Sequence, residues 1–179
     1  SQRSLFSVPL WDDLPDGGAG HFARVVNAVH ELGCAIEILV PDFQGSTEAL
    51  DKVLRSNPEV IGHNLETVPR LYPLVRPEAD YERSLNIFRQ IKRCNNGIVT
   101  KSGLMLGLGE NPDEVFGVMS DLREADCDLL TVGQYLQPSE LHRPISRFVT
   151  PEEFQRYQEV GMEMGFAGIV SAPLVRSSF

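Results

Sequence analysis

Asn64 and Glu66 stand two residues apart at the end of an apolar run, so in an extended chain they share one face while His63 and Leu65 share the other. An amide beside a carboxylate suits the hydroxyls of a ribose or an amino-acid ammonium, because the pair offers donors and acceptors together. His63 has no second His or Cys beside it to complete a metal set, and a core histidine is the plainer reading. Lys101 lies inside another apolar run (GIVTKSGLML, 97–106), where an ammonium group must reach a cavity or a carboxylate.

That run continues into Gly107-Leu108-Gly109-Glu110, where glycines admit another backbone or a flat ligand closer than a side chain would allow. A phosphate loop is excluded, since neither GxGxxG nor GxxxxGK(S/T) is present and Glu110 would repel phosphate. Adenine packed on the backbone of Gly107 and Gly109 and a plain tight turn are both compatible with the string. Asp16 and Gly17 belong to the acidic stretch DDLPDGGAG (12–20), which could hold a cation or ribose hydroxyls, or serve as a turn and helix cap. His142, Arg143 and Arg147 read as a solvated loop face, and Ser177-Ser178 as a chain-end tail with no base nearby. Cys34, Cys94 and Cys127 are odd in number and lack CxxC spacing, which argues for buried structural thiols over a disulfide framework or a zinc site.

The elements that must position these residues alternate between two periods. Residues 19–32 form a helical stripe (Phe22, Val25, Val26, Ala28, Val29, Leu32) that Gly33 stops, and 34–41 reads as a strand closed by Pro41-Asp42. Ser46 caps a helix that runs to 54, and 59–66 is a second strand. A helix over 81–93 carries Tyr81, Leu85, Phe88 and Ile91, with Ile87 on its flank. Strand 97–106, helix 112–125 and strand 129–135 follow; Thr150-Pro151-Glu152-Glu153 starts a helix to about 164, and 168–174 is a last strand. Repeated βα units with near-continuous apolar strands predict a parallel sheet covered by helices, either doubly wound or part of a barrel. Their C-terminal ends carry the polar strings, and that edge is where parallel α/β architectures bind ligands.

The 179 residues suit one domain, and 42% hydrophobic with 23% charged residues is ordinary for a globular fold. No apolar run approaches the roughly 18 residues that span a bilayer, and a formal charge of −9 argues against nucleic acid as a partner.

In combination the strings resemble lipoyl synthase, a family of radical S-adenosylmethionine enzymes, from residue 12 onward. The stretches that carry the likeness are DDLPDGGAGHF (12–22), VPDFQG (40–45), HNLETVPRLYPLVRP (63–77), SGLMLGLGE (102–110), READCDLLTVGQYLQPS (123–139) and APLVRSSF (172–179), the last close to the family's GPLVRSSY. The resemblance implies a partial (βα)6 barrel with a 4Fe-4S cluster and S-adenosylmethionine at the C-terminal mouth of its strands. Gly103-x-Met105-x-Gly107-x-x-Glu110 is similar to the GxIxGxxE pattern that packs on adenine. Asp16, Gly17, Asn64, Glu66, Lys101, Gly107, Gly109 and Glu110 are accordingly expected to line the cofactor. Ser177 matches the serine that ligates a second, auxiliary 4Fe-4S cluster with three N-terminal cysteines. The implied reaction inserts sulfur at C6 and C8 of an octanoyl chain held on a lipoyl carrier domain, either the E2 subunit of a 2-oxoacid dehydrogenase or the glycine cleavage H protein, with no nucleic acid or membrane involved. The expected compartment is the bacterial cytoplasm, or a mitochondrion or plastid in a eukaryote.

The chain also departs from the family. The CxxxCxxC of the radical cluster and the upstream cysteine set are absent, as is the first barrel strand. Before Asp12 the chain reads SQRSLFSVPLW, with Trp11 where the family has Arg, and Phe179 replaces its Tyr. Residues 1–17 are therefore read as a divergent segment and turn, and 18–179 as one truncated partial-barrel domain missing its first strand. Such a chain alone is expected to assemble neither cluster and to be inactive. The alternative is a non-catalytic paralogue or fragment that binds S-adenosylmethionine or a carrier domain. A metal-dependent aldolase or isomerase is disfavoured, because only His63 and Glu66 stand at strand ends as possible ligands.

Overall fold

The computed structural model describes residues 4–5 and 16–176. Six strands form one parallel sheet in sequence order: β1 (Ser4–Leu5), β2 (Ile36–Leu39), β3 (Val60–Gly62), β4 (Val99–Leu106), β5 (Leu129–Gln134) and β6 (Gly168–Ser171). The connections hold α1 (Ala19–Glu31), α2 (Thr47–Leu54), α3 (Tyr72–Val75), α4 (Tyr81–Cys94), α5 (Pro112–Glu124) and α6 (Pro151–Glu163). Parallel neighbours need crossover connections, and helices supply them here. Among the described residues β1 and β6 do not pair, and the sheet is an open, partial barrel, as expected from the sequence. Within the segment read as divergent and strandless, Ser4 and Leu5 pair with Ile36 and Glu37. Residues 6–15, with Trp11 and the first part of the acidic stretch, lie outside the described residues, as does Ser177.

Local chemistry sets the helix starts. Ser46 Oγ accepts from Ala49 N and the Asp80 carboxylate from Arg83 N, while Asn111 with Glu114 and Thr150 with Glu153 form complete capping boxes. Each cap is worth about 1 kcal/mol. The helical stripe of α1 is narrower than the sequence suggests: Ala28 is exposed, and Leu32 sits at the C-cap with 79% of its surface in solvent. The strand expected over 59–66 pairs regularly only to Gly62, and the stretch after it makes a turn of 3-10 helix (Pro69–Leu71) and α3, which periodicity does not reveal.

The two faces of the sheet differ in kind. Ile36, Ile38, Ile61, Leu104, Leu106, Leu130, Val132 and Ile169 alternate along β2 to β6 and are buried beneath the helices. The residues between them turn to the inner face: Glu37 and Leu39, then Gly62, then Lys101, Gly103 and Met105, then Leu129, Thr131 and Gly133, then Gly168 and Val170. Leu39 and Val170 are 42% and 49% exposed there, while the outer face supplies the core. α4 joins the two apolar clusters, sending Leu85 and Phe88 into one and Ile87 and Ile91 into the other.

Candidate functional site

The C-terminal end of β3 breaks its ladder to present the site. His63 N donates to Lys101 O (2.9 Å) and Glu66 N to Gly103 O (2.9 Å), but Leu65 N turns to Ser102 Oγ instead of a backbone carbonyl. Glu66 completes the bulge with φ of 65° and bridges to Leu104. Two residues from the following turn hold it in place. Tyr72 Oη donates to Leu65 O (2.9 Å), and Arg76 Nη1 donates to Asn64 O (2.9 Å) and Leu65 O (3.3 Å), with its guanidinium 5.5 Å from the Tyr72 ring.

Asn64 and Glu66 come together, with Asn64 Nδ2 donating to Glu66 Oε1 at 3.0 Å, but through the left-handed backbone of Glu66 in the bulge and not through the extended alternation expected from their spacing. Burial pushes the Glu66 carboxyl up, against the opposing pull of Asn64 and Arg76. Gly103 lies directly against them. A Cβ at that position would stand 2.8 Å from Asn64 Oδ1 and 3.1 Å from Thr131 Oγ1, so only glycine leaves both polar groups in place. Of the two surroundings open to Lys101 from the sequence, a cavity or a carboxylate, it meets the second: Nζ lies 2.6 Å from Glu37 Oε1. His63 is buried on the other face against Phe88, with Nδ1 2.9 Å from Val40 O and Nε2 without a partner, and burial lowers its pKa to about 4.

Other expected site residues are engaged by the chain itself. Both Glu110 carboxylate oxygens accept backbone amides of their own loop, Gly107 N at 2.6 Å and Leu108 N at 2.9 Å. A Cβ on Gly107 would lie 2.5 Å from Arg147 O and 2.3 Å from Gln134 Nε2, so the loop before α6 occupies the space that this glycine opens. Gln134 fastens that loop, donating to Leu106 O and Arg147 O and accepting from Val149 N. Gly109 has φ of 109° near Ser146 and Arg143, whose Nε donates to Leu108 O. Asp16 takes the cap role: its oxygens accept Gly18 N, Gly20 N and Lys52 Nζ, and the Lys52 bond leads in lowering its pKa. Gly17 (φ 55°) packs beside Phe43 in the same turn. Asn64, Glu66, Gly103 and Thr131 therefore converge, whereas Glu110, Gln134 and Asp16 are spent on holding loops. Tyr72 and Arg76 lie in an irregular turn with no periodic position or catalytic spacing to mark them, and Thr131 reads only as one position of a predicted strand.

The cysteines lie away from this end. Cys34 precedes β2, Cys94 ends α4 and Cys127 precedes β5, all toward the N-terminal edge of the sheet. Cys127 is buried, which drives its thiol up to about 12, but Cys94 is exposed and Cys34 half-buried, contrary to the expectation of three buried thiols. Cys94 ends its helix on the polar side, 3.8 Å from Asp51 Oδ1. Among the described residues no three His, Cys, Asp or Glu side chains gather as a metal site, and no helix is long and apolar enough to cross a membrane. Two hollows, of about 400 and 510 Å³, sit on the outer layer beside α6 and α4, away from the inner face.

No protein-family model matches the chain. Curated relatives do. It is 54% identical over 169 residues to lipoyl synthase of Caldanaerobacter subterraneus, covering 94% of this chain and 60% of that protein. The corresponding figures for the Aquifex aeolicus lipoyl synthase are 51%, 94% and 62%. Among solved structures the fold matches Streptococcus suis SuiB bound to S-adenosylmethionine (TM-score 0.69, 9% identity, 84% of this chain and 36% of that one). It also matches coproporphyrinogen III oxidase of Escherichia coli, a radical SAM enzyme (TM-score 0.65, 16% identity, 87% and 39%). The chain spans somewhat more than half the length of the curated relatives it matches; over that span its sequence is similar to lipoyl synthases, and its open parallel sheet has the fold of these solved structures.

Proposed function

We propose that the chain is the cofactor-binding part of a lipoyl synthase, a sulfurtransferase that inserts two sulfurs, at C6 and C8, into an octanoyl chain carried on a lipoyl carrier domain. The observation that carries this reading is the Asn64–Glu66 pair, held by Arg76 and Tyr72 over the space that Gly103 leaves open, in a chain so similar to lipoyl synthases. Glu66 and Asn64 would receive the ribose hydroxyls or the ammonium of S-adenosylmethionine, and the backbone of β4 near Met105 would lie against its adenine. When bound, S-adenosylmethionine supplies the one-electron chemistry needed to attack an unactivated C–H bond, which side-chain acids and bases cannot do. The chain's own share is to bind, to orient and to exclude water.

The iron–sulfur clusters of the family do not fit the cysteines of this chain. Cys34, Cys94 and Cys127 are scattered along the edge opposite the site, and no step is assigned to a cluster held here. By itself the chain is expected to assemble neither cluster and to be inactive. Titration calorimetry with S-adenosylmethionine tests the binding reading: a one-to-one heat that weakens at least about tenfold in Glu66→Gln is the expected result, and no heat in the unsubstituted chain would overturn it. Anaerobic iron–sulfide reconstitution tests the second claim, which stoichiometric cluster absorbance would refute.

A further inference from the structure

Gly133 lies on the inner face of β5, and the chain beyond β6 turns back across it. Ala172 N donates to Val132 O (3.1 Å) and Gln134 N to Pro173 O (3.2 Å), which carries the chain alongside β5 past the end of β6. Val175 N then donates to Ala172 O (3.1 Å) and closes a turn. That turn places Val175 O 2.3 Å, and Arg176 Nη1 3.5 Å, from where a Cβ on Gly133 would stand. The φ of Gly133 is not in the left-handed region, so its backbone suits any residue. Space, and not torsion, demands the glycine.

We infer that Gly133 is a positioning residue: its missing side chain is the seat over which the last segment crosses onto the inner face of the barrel. Thr131, on the same face of β5, touches the Gly103 position that borders Asn64, so Gly133 stands one side-chain repeat further toward the mouth. The segment that crosses it reaches Arg176 there, directly before Ser177. The cluster-ligand role of Ser177 rests on the functional reading above. The seat does not, since it is a contact between Gly133 and Val175 within this chain. A methyl group at 133 meets a backbone carbonyl, which cannot rotate away, and the segment must lift.

Gly133→Ala in the full chain tests this through two local readouts, tryptic cleavage after Arg176 and amide exchange at Val175. Both are expected to accelerate at least about tenfold, the signature of a local opening, with the melt otherwise little changed. Unchanged cleavage and exchange in a folded Gly133→Ala chain would overturn the inference. Should Gly133→Ala fail to fold, the same substitution is made in a chain ending at Leu174. Relief of the defect there supports the seat, because the obstructing carbonyl is gone, and an equal defect in both backgrounds refutes it. None of these readouts involves S-adenosylmethionine, so failure of the cofactor-binding reading leaves them intact.

Discussion

Lys101 on β4 reaches across β3 to Glu37 on β2, Nζ to Oε1 at 2.6 Å, and ties three strands together on the inner face. Their side chains are 9% and 21% exposed, so each removes the other from an environment that would penalise it alone. Lys101→Met is expected to lower stability by about 3 kcal/mol in urea unfolding. Adding Glu37→Gln should recover part of that loss. Strict additivity of the two substitutions would show that the pair is not coupled.

Glu110 holds two amides at once, which a neutral amide cannot do. Glu110→Gln places an NH2 group against Gly107 N or Leu108 N and should cost about 2 kcal/mol. Gly107→Ala should cost more, about 3 kcal/mol, because it adds left-handed strain to a collision with Arg147 O. Thermal melts check both; a neutral Gly107→Ala would mean that the loop before α6 does not rest on this glycine.

His63 supplies a pH dependence. Its pKa falls from 6.5 in the unfolded chain to about 4 in the fold because burial disfavours the cation. The unfolded state therefore takes up the proton first, and stability is full above 6.5 and declines as pH falls toward 4, by about 3 kcal/mol in all. His63→Asn, which keeps a donor for Val40 O, should flatten that slope. Glu114, held at about 2 chiefly by Arg70, acts in a lower window: its contribution is full above 4.5 and declines as pH falls toward 2. An unchanged slope in His63→Asn between 6.5 and 4 would assign the effect elsewhere.

Gly103→Ala separates binding from folding. The methyl group would press on Asn64 Oδ1 and Thr131 Oγ1, side-chain atoms that can shift at small energetic cost. Affinity for S-adenosylmethionine should drop at least about tenfold, near 1.4 kcal/mol, while the melting temperature moves little. Equal affinity would place the cofactor elsewhere on the chain.

Much of this architecture is legible without coordinates. The strand and helix periods are strong because each outer-face residue packs under a helix, and Thr150-Pro151 or Asn111-Pro112 announce their helices by capping chemistry alone. The need of Lys101 for a cavity or a carboxylate follows from the energetics of burial, whereas the meeting of Asn64 and Glu66 depends on a left-handed bulge that alternation does not foresee. The destiny of Glu110 does not, since a carboxylate that binds its own loop and one that binds a ligand occupy the same string. Nor does the role of Arg76, which acts on carbonyls eleven and twelve residues away after an irregular turn. Gly107 was legible as a close approach but not as an approach by Arg147, forty residues downstream.

The inequality of the two sheet faces makes ligand affinity a thermodynamic partner of folding. The helices complete one side of the sheet, while the other carries glycines, a polar pair and two half-open aliphatic side chains. A molecule that settles there would act as the remaining layer of a sandwich, binding the native state and not the unfolded one. At a hundredfold excess over its dissociation constant it would add about 3 kcal/mol, so a melting curve alone becomes a screen for what this barrel was shaped to hold.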